Sequence, residues 1–389
     1  MTSLSMLLKK KHLSVLGLMS GTSLDGLDLA LCRIRKQGNG YKLCTTKTRS
    51  LDYPISLRQK ILKQASDLSL RKSELMSLNN ELVDFYLRGI TRFTDDNPRL
   101  KPDLIGSHGQ TIYHADRRLA KVSDRTTGSW QIVDGSMLSA RTGIPVVSDF
   151  RVNDVALGGS GAPLMPVCHY HMFSKSKANL AVLNIGGISN LTWLPRGGRP
   201  KDIQSSDCGP GNMLVDALMN RLYNRKFDED GKVALSGTVS GRLLAWFKCH
   251  GWYKSAFPKS LGREQFEDFM VQKLISAGEN LMLKPADIIA TTTQFTIEAV
   301  MRYIKCVGSP EILAVCGGGA HNLFMINSLV ENLPECDVVS SDDVNIDPDF
   351  VEAAGFALLA VMFLHNRPAG LPQVTGAKRA TVLGKLSLP

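Results

Sequence analysis

Three glycine-centred stretches offer the most chemistry in this chain. Ser20-Gly21-Thr22-Ser23-Leu24-Asp25-Gly26 is built mainly of small residues whose backbone N–H groups and hydroxyls can close on an anion, as a phosphate requires. Asn184-Ile185-Gly186-Gly187-Ile188-Ser189-Asn190 has the same character, and Cys316 to Asn322 presents a glycine-lined surface suited to a nucleoside. No P-loop lysine accompanies any of them, which excludes the Walker class. Taken singly, each stretch reads equally well as an ordinary polar turn; three in the order hairpin, hairpin, strand-to-helix make a far more specific signal.

Two carboxylates stand out beside these loops. Asp207 falls in Ser-Ser-Asp-Cys-Gly-Pro-Gly-Asn, read as a turn in which Asn212 is better placed than Asp207 to cap the following apolar segment. Glu352 lies inside an apolar helix, where a carboxylate needs a partner or a polar cavity. Asp25 can hold Mg²⁺ through water or stabilise its own turn. The pairs His108/His114 and His169/His171 invite a metal reading, but no third ligand follows at a useful spacing. His108 is instead expected to orient the Gln110–Thr111 loop. Arg151 and Asp154 flank the crossing into a second domain, where an ion pair would be the plain alternative to ligand binding.

The elements that must position these residues follow from periodicity. Leu13 to Met19 and Leu27 to Ile34 read as two strands joined by the first glycine turn, a hairpin and not a dinucleotide-binding strand-to-helix junction. Helical patterns span about 56–69 and 72–94, followed by a strand at 104–107, a helix near 137–142 and a strand at 144–148. A second strand, glycine turn, strand unit occupies 180–194, about 160 residues after the first, a spacing of domain size. Ile312 to Cys316 reads as a buried strand running into Gly317, Gly318 and Gly319, with Asn322 opening a helix. Asp347-Pro348-Asp349 signals a helix through Leu364, whose Ala353, Ala354, Gly355 and Ala357 permit close packing.

The composition of 389 residues, 43% hydrophobic and 21% charged, excludes collagen, coiled coil and intrinsic disorder. At this length two domains are expected. The net charge of +10 is spread along the chain and no basic helix is interleaved with aromatics, which disfavours a nucleic-acid partner. Eight cysteines without a C-x-x-C pair point to a reducing compartment. The N-terminal stretch lacks a signal-peptide pattern, and the longest apolar run, Ala353 to Leu364, is too short to cross a bilayer, so a cytoplasmic protein without a membrane partner is expected.

Blocks throughout the chain resemble the anhydro-N-acetylmuramic acid kinases. They are Gly17 to Gly26, Gly106 to Thr111, Asp149-Phe150-Arg151 through Asp154 to Gly158-Gly159 and Gly161 to Leu164, Asn184 to Asn190, Asp207 to Asn212, and Cys316 to Asn322. They stand in family order from about residue 15 to 385. The resemblance implies an α/β fold of two actin-like, ribonuclease H-like domains with ATP and sugar in an interdomain cleft: domain one over 1–158 with the tail 366–389 packing back on it, and domain two over 159–365. It implies an ATP-dependent kinase that hydrolyses the internal bridge of 1,6-anhydro-N-acetylmuramic acid and phosphorylates the freed 6-oxygen. ATP contacts are implied for Gly21, Thr22, Ser23, Leu24, Asp25, Gly26, Leu27, Asp28, Gly186, Gly187, Gly317, Gly318, Gly319 and Asn322, and sugar contacts for Thr111, Arg151, Asp154 and Gly161. Asp207 is implied as the base, with Glu352 at the sugar, Mg²⁺ near Asp25, and a homodimer as the assembly. Ser160 and Asn153 depart from the family pattern, where most members have Gln and some have Arg. A kinase of another amino sugar, and a nucleotide-switch protein without catalysis, stay open as alternatives at this level.

Overall fold

The computed structural model describes residues 4–21, 24–66, 71–115, 127–173, 177–266, 268–344 and 346–389. The chain divides into two units, one built from the residues up to Met172 together with Phe350–Pro389, the other from Phe173–Asp349.

In the first unit, β1 (Leu13–Met19), β2 (Gly26–Gln37) and β3 (Gly40–Asp52) form an antiparallel meander. β4 (Leu104–Ser107) lies parallel to β1, while β5 (Gln110–Ala115) and β6 (Gly128–Ile132) make a separate two-stranded ribbon. β7 (Val146–Ser148) lies parallel to β4, and the C-terminal strand Lys385–Ser387 closes that edge antiparallel to β7. The sheet order is therefore C-terminal strand, β7, β4, β1, β2, β3. β1 is buried along almost its whole length because structure covers both faces, which is why it reads as a continuous apolar run. β3 was not expected from the sequence. Its Lys42, Lys47 and Arg49 are the charges that keep an edge strand soluble, and they mask its pattern.

The second unit repeats the arrangement with β8 (Leu180–Ile185), β9 (Ile188–Leu194), β10 (Gln204–Pro210), β11 (Ile312–Cys316) and β12 (Asp337–Ser340). Its order is β10, β9, β8, β11, β12, with β8 to β10 antiparallel and β8, β11 and β12 parallel. Two sheets of the same order, each begun by a hairpin and continued by parallel strands, make the fold a duplicated actin-like α/β one. Among the described residues no helix is long and apolar enough to cross a membrane.

The helix Val351–Leu364 belongs to the first unit, and the reason is steric. A Cβ placed on Gly17 of β1 would lie 1.8 Å from the Ala353 carbonyl oxygen, and one on Gly106 of β4 would lie 2.3 Å from that of Phe356. The helix backbone thus rests on the backbone of two strands. The division expected at 158 and 366 accordingly moves to 172 and 350.

Gly17→Ala should destabilise the protein by roughly 3 kcal/mol or more, since the added methyl meets backbone that cannot swing aside. Gly241→Ala, whose methyl would meet nothing within 4 Å, should stay within about 1 kcal/mol of the parent. Urea unfolding of both variants checks the contrast.

Candidate active site

The candidate residues of the first unit gather at the carboxyl ends of its parallel strands β1, β4 and β7, the usual ligand side of such sheets. The turn after β1 is anchored by Leu24, which is buried with φ +60°, and by Leu27, whose fully buried side chain belongs to the core. Leu27 therefore has only its backbone to offer a ligand. Asp25 is exposed, and Thr22 and Ser23 lie outside the described residues. Behind the turn Ser20 donates to Gln110 Oε1 (2.6 Å) and accepts from the Tyr53 hydroxyl (2.9 Å), while Gln110 Nε2 reaches the Gly21 carbonyl at 3.4 Å. Burial pushes the Tyr53 phenol up to about 12, so it stays a neutral donor. Gln110 thus braces the turn. Thr111, its neighbour, accepts from Gln131 Nε2 at 3.1 Å.

Arg151 follows β7 and turns back toward β4. Its Nε (3.2 Å) and Nη2 (2.9 Å) both reach Nε2 of His108, and Nη1 donates to the Gly161 carbonyl at 3.3 Å. His108 therefore orients Arg151, where the sequence had suggested the Gln110–Thr111 loop. Glu352, in the first turn of its helix, is partly buried. Burial, and then the Asp28 charge, push its carboxyl up, and Arg151 pulls it down. Asp28 in turn accepts from the Ser50 hydroxyl. The structure thus brings Asp28, Arg151 and Glu352 into one electrostatic group.

Asp154 has a different place. It is fully buried, and its two oxygens accept from Gly161 N–H (2.9 Å) and the Thr375 hydroxyl (2.7 Å). Its carboxylate holds the 159–162 loop to the C-terminal segment. The two family departures lie on the same seam: Asn153 Nδ2 donates to the Val382 carbonyl (2.9 Å), and the Ser160 hydroxyl donates to the Ala162 carbonyl at 2.7 Å, with the Thr375 carbonyl at 3.1 Å.

In the second unit three glycine loops converge at the ends of β8, β10 and β11. Gly211 N–H donates to the Gly187 carbonyl and Asn212 N–H to that of Gly186, both at 2.8 Å. The Asn212 side chain does not cap the following helix; it reaches the Ile185 carbonyl at 3.1 Å. Gly317 has φ +76°, and a Cβ on it would lie 2.4 Å from Asn184 Oδ1, while one on Gly319 would lie 2.4 Å from the Ile185 Cβ. Gly186 and Gly318 differ, with the nearest atoms to an added Cβ at 3.9 and 3.4 Å. At these two positions an added methyl would make only ordinary van der Waals contact. Asn322 caps its helix by accepting from Met325 N–H at 3.1 Å, so its amide oxygen is already engaged.

Asp207 lies on a strand, not in a turn. It pairs with Asn190, and a bulge between Asp207 and Gly209 gives the strand an irregular bend there. Its Oδ2 accepts from Leu261 N–H (2.8 Å) and its own N–H donates to the Lys259 carbonyl (3.2 Å). Lys259 N–H donates to Ser206 Oγ at 2.9 Å. The segment 257–261 that grips Asp207 carried no sequence signal. Burial, then Arg302, bring the Lys259 ammonium down to about 8, against the pull of Cys208 and Asp207. Among the described residues no group of three or more His, Cys, Asp and Glu is placed to hold a metal.

A family profile described as Anhydro-N-acetylmuramic acid kinase matches residues 13–388. The protein of that name from Salinibacter ruber is 36% identical over 395 residues, covering 100% of both chains. The one from Thiobacillus denitrificans is 38% identical over 379 residues, covering 95% of this chain and 96% of its own. A solved activator of 2-hydroxyisocaproyl-CoA dehydratase from Clostridium difficile covers 90% of this chain and 96% of its own at 13% identity and a TM-score of 0.45.

Asp154→Ala strands the Gly161 N–H in the interior and leaves the Thr375 hydroxyl only its longer bond to the Leu371 carbonyl (3.3 Å), so it should cost about 2 kcal/mol, read from the urea midpoint. Burial holds His169 down to about 3; burial and then the Arg151 charge do the same to His108. Both stay neutral when folded, while the unfolded chain takes up protons below about pH 6.5. Stability is therefore complete above that pH and falls as pH drops toward 3, by up to ~1.4 kcal/mol per pH unit for each histidine. Urea midpoints at pH 7 and 5 should show the loss, and His169→Gln should make the slope shallower.

Proposed function

The chain belongs to the anhydro-N-acetylmuramic acid kinase family, and from that premise we propose that it converts 1,6-anhydro-N-acetylmuramic acid, water and ATP into N-acetylmuramic acid 6-phosphate and ADP. The observation that best supports this reading is the setting of Asp207. A carboxylate on a bulged edge strand, gripped at one oxygen by Leu261 N–H, lies four positions before Gly211, which closes onto the glycine turn after β8.

In this reading Asp207 takes a proton from a water that attacks the anomeric carbon. The bond from that carbon to the 6-oxygen breaks, and the oxygen bonds to the γ-phosphorus as ADP departs. An ordinary inverting glycosidase needs a second carboxyl group to protonate the leaving oxygen. Here that oxygen stays in the molecule and is captured by phosphoryl transfer, so one base suffices. The turns at Gly21 to Gly26, Gly186–Gly187 and Gly317 to Gly319 supply backbone N–H groups to the nucleotide. Arg151 and Glu352 bind the sugar, and Asp154 shapes the loop beneath it. The exposed carboxylate of Asp25 suits Mg²⁺, a hard cation that keeps most of its ligands as water and phosphate oxygen and would neutralise phosphate charge. We read the protein as a cytoplasmic homodimer, which sedimentation of the purified chain checks.

Turnover in ¹⁸O-labelled water tests the reaction: the label should appear at the anomeric carbon of a phosphorylated product, and phosphorylation without ring opening would refute the proposal. Asp207→Asn keeps the shape and removes the proton acceptor, so kcat should fall by roughly 10² to 10⁴. Ring opening and phosphorylation should fall together, with ATP affinity little changed. A variant that still opened the ring without ATP would assign the base elsewhere, with Glu352 next to examine.

A further inference from the structure

We propose that the hollow at the amino end of β1 binds a multiply charged phosphate compound, an organic phosphate or inorganic polyphosphate, at a site separate from the candidate active site. The glycine turn follows the carboxyl end of β1, so the length of that strand, at about 3.3 Å per residue, sets the two roughly 20 Å apart. The inference does not rest on the proposed reaction.

The hollow has a volume of about 420 Å³. Leu13 and Ile34, paired across β1 and β2 and both buried, give it an apolar wall. Lys10, Lys11, Arg35 and Lys36, all exposed, also line it, and no acidic residue does among the described residues. The neighbouring Asp103 is already engaged, by Lys10 Nζ at 2.6 Å and by Ser14 N–H at 3.0 Å. Lys11, Arg35 and Lys36 have no carboxylate partner among the described residues. On β3 Lys42 stands directly opposite Arg35, and like charges so placed repel each other. The field reaches the wall of the hollow at His365, the residue after the Val351–Leu364 helix: burial, then the charges of Lys36 and Arg367, push its imidazole down. His365 Nδ1 lies 3.1 Å from the Tyr41 hydroxyl, which fixes the ring.

Lysines on an open face spread into solvent and relieve one another. Here the cations converge on a concave surface, and no acid offsets their repulsion. A bound anion does. The ammonium of lysine is a compact point charge of the kind that holds phosphate oxygens. Three cations without an acid match a ligand that carries more than one negative charge. The volume falls in the range of small-molecule sites, about 300 to 1,000 Å³. It therefore suits several linked phosphates, or one phosphate on an organic body that covers Leu13 and Ile34. A metal cation would be repelled, and a neutral sugar would leave the charges as they are.

Calorimetric titration of the full chain tests the site, with tripolyphosphate in one arm and glucose 6-phosphate in the other. Wild type should bind at least one of them, and Lys11→Gln/Arg35→Gln/Lys36→Gln should lose one equivalent or at least about tenfold in affinity, as loss of charge-assisted contacts implies. Raising NaCl from about 50 to about 300 mM should weaken wild-type binding through screening. The three side chains are exposed and lie outside the residues given to ATP and sugar, so the triple variant should keep its urea midpoint and basal turnover. Uptake by tripolyphosphate alone assigns the inorganic source, and uptake of glucose 6-phosphate assigns the organic one. Binding of neither anion would overturn the site, and so would equal binding by wild type and variant, which would place the anion elsewhere. Binding only to phosphatidylglycerol vesicles, with neither soluble anion taken up, would overturn it in favour of a membrane surface.

Discussion

The helix Val351–Leu364 lies against β1 and β4 with no side chain between them at Gly17 and Gly106, and the first unit is arranged around that contact. Backbone on backbone leaves no adjustable layer. The helix can therefore neither rotate nor slide without a clash, and the side chains of its first turn inherit that rigidity. Glu352 is one of them, and Phe356, one turn later, packs on His108. The chain from Gly17 to the helix, to His108, to Arg151 is short and stiff. The Arg151 guanidinium is pre-oriented at its end.

The second unit solves its positioning problem with main chain alone. Its turn after β8, the end of β10 and the Gly317 to Gly319 stretch interlock through N–H to carbonyl bonds and through contacts that tolerate no Cβ at Gly211, Gly317 or Gly319. Such a cluster holds its backbone dipoles in fixed directions. Gly186 and Gly318 are glycines of the other kind, where an added methyl would meet only ordinary van der Waals contacts.

Buried and half-buried carboxylates divide between two uses. Asp154 spends both oxygens on the scaffold and stabilises the loop that carries Ser160, one of the two residues departing from the family pattern. Asp207 spends one oxygen on Leu261 N–H. A backbone donor on that oxygen fixes the direction of the carboxylate.

The sequence alone determined the parts that rest on local pattern. The apolar run of β1, the glycine hairpins, the Asn322 cap and the small-residue face of the Val351–Leu364 helix are each encoded within a few consecutive residues, and so are the ordered blocks that carried the family resemblance. β10 was illegible because Gln-Ser-Ser-Asp-Cys-Gly-Pro has the composition of a turn, and only its pairing with β9 makes it a strand. The grip of Leu261 on Asp207 joins residues 54 positions apart, and the bond from Arg151 to His108 joins residues 43 apart. Neither interval has a period or a motif. The fate of Asp154 and the assignment of the Val351–Leu364 helix to the first unit were likewise settled by packing, because which buried donor meets a carboxylate, and which strand a helix can touch, depend on surfaces that exist only after the chain has closed on itself.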